Sequence, residues 1–271
     1  MSLGELTPIG LDELVERAGL LTRVDRKYLL PSTVLPMLVA GLPAGTRILQ
    51  IDSRQRFGYR SSYFDTPGLD SYFTTAHRRR RRFKVRVRTY LDSGAHFLEI
   101  KTRGPRGTTV KTRFPYEGDG VRLEPTMRVL AVTTLADAGI GAEGFRFDLA
   151  LTTHYQRTTL FVPSTGSRVT IDEHLTWTLP GGPTLTMPDR VIVETKSGRS
   201  TSPVDRLLWS RSHRPCPVSK YATGLAALRP DLPANRWYPV LRRHFADLTA
   251  PEGHRPGESG RNSSPPSVPP P

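Results

Sequence analysis

A single cysteine, Cys216, stands in the 271-residue sequence, so no disulfide can form within the chain, and that usage suits a reducing compartment. Cys216 lies between Pro215 and Pro217 and reads as a structural or incidental residue. No apolar run reaches the ~18 residues of a membrane helix. The first turns carry acids in place of a basic-then-apolar leader. Together these absences predict a soluble, cytoplasmic protein. No Gly-x-x-x-x-Gly-Lys-Ser/Thr loop is present, so a P-loop nucleotide site has no support. No serine, cysteine or histidine nucleophile motif stands out. His77, His96, His154 and His174 lack the close spacing of metal ligands. No segment repeats at a solenoid period. Negative charge is scarce as well, with 25 Asp and Glu against 39 Lys and Arg and a net charge of +14. Such a balance calls for an acidic partner: nucleic acid, anionic membrane or a phosphate compound. Most of the excess is arginine, whose planar fork suits phosphate and carboxylate oxygens. The 37% hydrophobic content is enough for a core, which argues against wholesale disorder.

What is present is most distinctive between Arg82 and Tyr90, where Arg82-Phe83-Lys84-Val85-Arg86-Val87-Arg88 alternates cation with apolar residue. A strand puts residues i, i+2 and i+4 on one face. Arg82, Lys84, Arg86 and Arg88 therefore point one way, and Phe83, Val85 and Val87 the other. A row of one sign repels itself unless an anion sits against it. The same parity recurs in Arg23, Asp25 and Lys27; in Glu99, Lys101 and Arg103; in Lys111 and Arg113; in Arg168, Thr170 and Asp172; and in Arg190, Ile192, Glu194 and Lys196. One such strand reads most simply as a solvated face. Five of them argue for a shared, lined cavity, because unpaired buried cations cost several kcal/mol each. Phosphate oxygens would satisfy the cations, and the scattered carboxylates would hold Mg²⁺ or Mn²⁺, which prefer oxygen ligands. The continuous run Arg78 to Arg82 reads mainly as a solvated loop that can gather anions at a cavity mouth.

Periodicity predicts a helix over 11–20, then strands over 23–30, 59–64, 82–90, 96–103, 109–116, 145–161, 167–178 and 185–196. Asp65-Thr66-Pro67-Gly68, Asp92-Ser93-Gly94 and Gly104-Pro105-Arg106-Gly107 read as turns. Helices are expected over 126–138, 204–212 and 219–228. The expected fold is α+β: an antiparallel β-barrel of about eight strands with helices at the ends and flanks, its interior wide enough for one slender ligand. Residues 1–249 read as one domain, and the Pro-, Gly- and Ser-rich stretch 250–271 as a disordered tail.

Taken together, Arg23-x-Asp25-x-Lys27-Tyr28, Ser62-Tyr63-Phe64-Asp65-Thr66, Lys84-x-Arg86-x-Arg88-x-Tyr90, Phe97-Leu98-Glu99-Ile100-Lys101, Val193-Glu194-Thr195-Lys196 and Ser219-Lys220-Tyr221 resemble the VTC domain. That domain is the polyphosphate polymerase module of the vacuolar transporter chaperone complex and one of the triphosphate tunnel metalloenzymes, with the CYTH phosphatases. The resemblance runs from about residue 20 to 228. It implies a β-tunnel that binds a linear phosphate chain and performs metal-dependent phosphoryl transfer. It implies tunnel cations at Lys27, Arg86, Arg88, Lys101, Lys111, Arg157, Arg168 and Lys220, and a metal, Mn²⁺ or Mg²⁺, on Glu194. Of these, Arg86, Arg88, Lys101 and Glu194 are the expected catalytic residues. Parity and the cap position add Lys84, Arg113, Lys196 and Ser219 as phosphate binders, and Glu99 and Asp172 as further metal-side carboxylates. A membrane-protein partner is compatible with the resemblance. The CYTH phosphatases open with Glu-x-Glu-x-Lys; here Arg23 and Asp25 replace the two glutamates, which weakens a two-metal hydrolase reading.

The alternatives are an inorganic tripolyphosphatase and a module that only binds polyphosphate. Hydrolysis needs an activated water, for which Glu99 or Asp172 is available. Nucleic acid is disfavoured. Single-strand grooves pair cations with exposed stacking aromatics, whereas Phe83 has opposite parity to the cationic row and Tyr90 lies beyond it. Interleaved carboxylates would repel a nucleic-acid backbone.

Overall fold

The computed structural model describes residues 2–18, 24–104, 108–198 and 200–248. The tail over 250–271, Arg23 and most of the turn after Gly104 lie outside the described residues. Eleven strands run in chain order: β1 (Thr7–Ile9), β2 (Val24–Pro31), β3 (Arg47–Leu49), β4 (Arg56–Asp65), β5 (Phe83–Tyr90), β6 (His96–Arg103), β7 (Thr109–Pro115), β8 (Asp148–Val162), β9 (Ser167–Thr178), β10 (Thr184–Met187) and β11 (Arg190–Ser197). Among the described residues seven α-helices accompany them: α1 (Leu11–Ala18), α2 (Leu35–Ala40), α3 (Asp70–Ala76), α4 (Pro125–Asp137), α5 (Pro203–Ser210), α6 (Lys220–Leu228) and α7 (Tyr238–His244).

The strands form one sheet with the main path β2-β11-β9-β8-β4-β5-β6-β7. Each step along that path is antiparallel. Eight strands in the path agree with the expected number, and the α+β class holds. Closure into a barrel does not: among the described residues no ladder joins β7 to β2. One physical reason lies at Lys27, whose carbonyl accepts the Cys216 amide at 2.8 Å. The proline-flanked segment around Cys216 thus takes a backbone position that a closing strand would need.

The alternation read from the sequence decides which face each strand buries. On β5 and β6, Val85, Val87, Leu98 and Ile100 are buried against Ala131 and Leu135 of α4. On the other wall, Tyr28, Leu30, Val169, Ile171, Val191 and Val193 pack with Leu38 of α2 and with Val204 and Leu208 of α5. Helices therefore cover the outer face and leave the inner face to the ionisable residues. A third cluster, with Tyr59, Tyr63, Tyr155, Trp177, Tyr221 and Trp237, brings α6 and the segment before α7 against the sheet.

Local chemistry sets the boundaries. The single strand expected over 185–196 is two strands, because the Pro188-Asp189 turn interrupts it and proline cannot donate to a ladder. Helix α5 opens with Ser202 and Asp205 capping each other's backbone amides, and α6 opens with Ser219 accepting the Ala222 amide at 3.2 Å. The short elements α2, α3 and α7 and strands β1 and β3 had no legible signal, since three to seven residues hold less than two turns of helical period or too few alternations.

Candidate functional site

Between the inward faces of these strands lies a cavity of about 550 Å³. Fourteen lysines and arginines line it against three carboxylates, Asp25, Glu99 and Glu194. A lining with charge so lopsided suits an anion carrying several charges.

Strand β5 supplies Lys84, Arg86 and Arg88, and β6 supplies Glu99, Lys101 and Arg103. Register pairs Lys84 with Lys101 and Arg86 with Glu99, and β7 adds Lys111 opposite Lys101. Glu99 is fully buried and gathers this wall. Its Oε2 accepts Arg86 Nε at 2.8 Å and Nη2 at 2.5 Å, with Arg88 Nε at 3.8 Å. Its Oε1 faces Lys111 Nζ at 2.5 Å. Burial opposes the Glu99 charge, but Arg86, Arg88 and Lys111 outweigh it and hold the carboxyl well below the usual range. Arg86 also donates to Tyr63 Oη at 3.2 Å.

Asp172 does the same on the opposite wall. Arg157 binds it in a fork, Nε to Oδ1 at 2.5 Å and Nη2 to Oδ2 at 2.8 Å. Lys220, from the first turn of α6, donates to the same Oδ2. Burial again opposes the charge, and these two cations hold Asp172 down at about 2. Glu194 sits on β11, opposite Lys27 across to β2, and accepts a bond from Lys196. Lys27 and Lys196 overcome its burial and hold it well below the usual carboxylate range.

Two lysines stand differently. Lys84 donates to Ser219 Oγ at 2.9 Å, and burial, then Lys27 and Arg86, push it down to about 7. Burial, then Arg86 and Lys27, likewise carry Lys101 well below its ordinary value. These are the groups an arriving anion would recharge.

The structure gathers Lys27, Lys84, Arg86, Arg88, Lys101, Lys111, Arg157, Arg168, Glu194, Lys196, Ser219 and Lys220 around this cavity. Arg113 is a correction. It has the parity of Lys111, yet its guanidinium lies 3.5 Å from the Phe97 ring centre and donates to Tyr90 Oη at 3.2 Å. Stacking on those rings holds it outside the lining. Arg190 likewise turns to Asp189. Tyr155 was missed. It has the parity of Arg157 on β8, it is buried, and no hydrogen-bond partner for its hydroxyl occurs among the described residues. Arg88, Arg157 and Lys220 overcome its burial and lower the phenol to about 8. That shared parity was the available signal. Arg236 also lines the cavity, but it comes from the irregular segment before α7 and carries no periodic mark.

The carboxylates do not fit a metal held by the protein alone. Among the described residues, no three His, Cys, Asp or Glu side chains converge. Glu99 and Asp172 are each enclosed by their own cations, and Glu194 is paired with Lys196. Glu194, Glu99 and Asp172 thus stand apart from one another, each against cations: β5, β6 and β7 bring them to Glu99, and β8 and α6 bring them to Asp172.

A family model for the VTC domain matches residues 22–123 and 149–229. No curated protein sequence matches the chain. Among solved structures, a Hippeastrum protein, assigned as an adenylyl cyclase and described as having a dominant triphosphatase activity, is 17% identical; 79% of this chain and 100% of that one are covered, with a TM-score of 0.43. A conserved hypothetical protein from Pyrococcus furiosus is 13% identical, with 70% and 88% covered and a TM-score of 0.38.

Proposed function

The chain belongs to the VTC domain family, and from that premise we propose that its cavity binds a linear triphosphate or polyphosphate and transfers phosphoryl groups along it, as a polyphosphate polymerase does. The observation that carries this reading is the charge of the lining, fourteen cations against three carboxylates, most of them on strand residues that alternate with the apolar core.

Phosphoryl transfer asks for positioning and charge stabilisation more than for covalent chemistry. Glu99 holds Arg86, Arg88 and Lys111 in place before a ligand arrives, and Asp172 does so for Arg157 and Lys220. Preset donors of this kind stabilise developing charge without reorganising at the moment of reaction. Lys84 and Lys101 are the adjustable members. A phosphate chain restores their charge by drawing protons onto Nζ. Ser219 and Lys220, where α6 opens, would grip one end of the chain, at the helix end whose dipole favours an anion.

The nucleophile distinguishes polymerase from phosphatase. The terminal oxygen of a phosphate chain is already ionised and needs no base. Water needs one, and carboxylates held as low as Glu99 and Asp172 are poor bases near neutral pH. That favours transfer over hydrolysis. The test is incubation of the full chain with ATP, with and without Mn²⁺, and separation of polyphosphate, ADP and free phosphate. Polyphosphate with matching ADP is the expected result. ADP with equimolar phosphate would replace the reading by hydrolysis, and intact ATP by binding alone.

A further inference from the structure

The wall made by β2 and β11 carries two carboxylates that parity aims into the cavity, Asp25 and Glu194, and a lysine lies between them. Register sets Lys196 opposite Asp25 and Glu194 opposite Lys27. Lys196 Nζ is 3.3 Å from Asp25 Oδ2 and donates at the same time to Glu194 Oε1. The lysine and the glutamate are almost wholly enclosed, with side chains 11% and 12% exposed. An ammonium is a compact charge with three donors and no acceptor, so it bridges two carboxylates from one point. A hard divalent ion bridging them would need the same position and several oxygen ligands at ~2.0–2.6 Å. It would also lie against the ammonium and near Lys27, whose charge already bears on Glu194.

We propose that Lys196 is a built-in cation standing where a divalent ion would bridge Asp25 and Glu194, so that the chain alone has no divalent-cation site on this wall and removing the ammonium creates one. Lys196 then serves first to neutralise the two carboxylates. It keeps them from repelling a polyanion, at a place where the opening Arg23-x-Asp25-x-Lys27 lacks one acid. The inference rests on the geometry of the two strands and is independent of which phosphoryl reaction the cavity supports.

The test uses Mn²⁺ as the sole ligand, with no phosphate present, titrated into the full chain and followed by the electron paramagnetic resonance signal of the free ion. The wild type should show no uptake that Glu194→Gln removes. Lys196→Met, of similar length and without charge, should gain one Mn²⁺ bound about tenfold or more tightly, the effect of removing a contacting like charge. Adding Glu194→Gln to Lys196→Met should erase the gain. A wild-type Mn²⁺ site that depends on Glu194 overturns the proposal. So does a Lys196→Met chain with native circular dichroism and no gain. If Lys196→Met fails to fold, Lys196→Gln makes the same comparison, and the wild-type titration against Glu194→Gln still decides.

Discussion

Lys84 shows how a single side chain can tie ligand affinity to pH. Its partner is a neutral hydroxyl, Ser219 Oγ at 2.9 Å, and its ammonium loses its proton near pH 7 against 10.5 ordinarily. A triphosphate restores the charge, so above about pH 7 binding must take up a proton. Tripolyphosphate affinity should then fall with rising pH by up to about tenfold per unit, and Lys84→Met should flatten that slope; a wild-type profile already flat from pH 7 to 9 would refute it. The stability effect has the opposite sign. Between pH 7 and 10.5 the folded chain holds fewer protons at this site than the unfolded chain. Unfolding free energy from Lys84 therefore rises across that window, and its penalty is greatest below pH 7. Arg86 is the contrasting case, preset by Glu99 and Tyr63. Arg86→Ala should weaken tripolyphosphate binding, read by calorimetry, by about 1.5–3 kcal/mol. It should also lower the melting temperature, because it removes one cation from a buried carboxylate.

At the scale of elements, α6 connects the core to the end of the cavity lined by Ser219 and Lys220. Gly224 lies so close to Trp177 that an added Cβ would stand 2.1 Å from the indole ring. Trp177 Nε1 donates to the Lys220 carbonyl at 2.7 Å, so the close approach fixes how the helix presents Ser219 and Lys220. Gly224→Ala should destabilise the fold by about 1–3 kcal/mol, the usual cost of overpacking, and should weaken tripolyphosphate binding although residue 224 touches no ligand position. A denaturant midpoint with a parallel binding isotherm checks both. A second tie runs from β4: buried Asp65 accepts the amides of Thr66, Ser71 and Tyr72 and the hydroxyl of Tyr221. Asp65→Ala should therefore cost about 3 kcal/mol through several lost charge-assisted bonds, seen as a lower unfolding midpoint. An unchanged midpoint would mean that α3 and α6 hold their places without it.

For the whole molecule, the arrangement among the described residues is an open, mostly antiparallel sheet with helices outside and charge inside. The net charge of +14 acts on any polyanion before contact, so tripolyphosphate association in stopped flow should slow steeply as salt rises, by about tenfold or more between low and physiological ionic strength. A rate indifferent to salt would mean that the cavity field does not reach solvent. Much of this molecule follows from period two alone. Along β5, Arg86 and Arg88 had to face opposite to Val85 and Val87, because a strand has two faces and the core accepts one of them. That parity determined the sheet-rich fold, the cationic lining and most of its members. It also placed Arg113 in the lining, where the structure does not, because parity says which face a side chain leaves from and not what it meets; the rings of Phe97 and Tyr90 decided that. Arg236, the backbone bond from Cys216 to Lys27, the enclosure of Glu99 and Asp172, and the bridge from Lys196 to both Asp25 and Glu194 depend on contacts between separate elements. Register between strands and the docking of α6 set those contacts, and distance in space, which a sequence does not carry, is the quantity that settles whether a carboxylate meets a lysine or a metal ion.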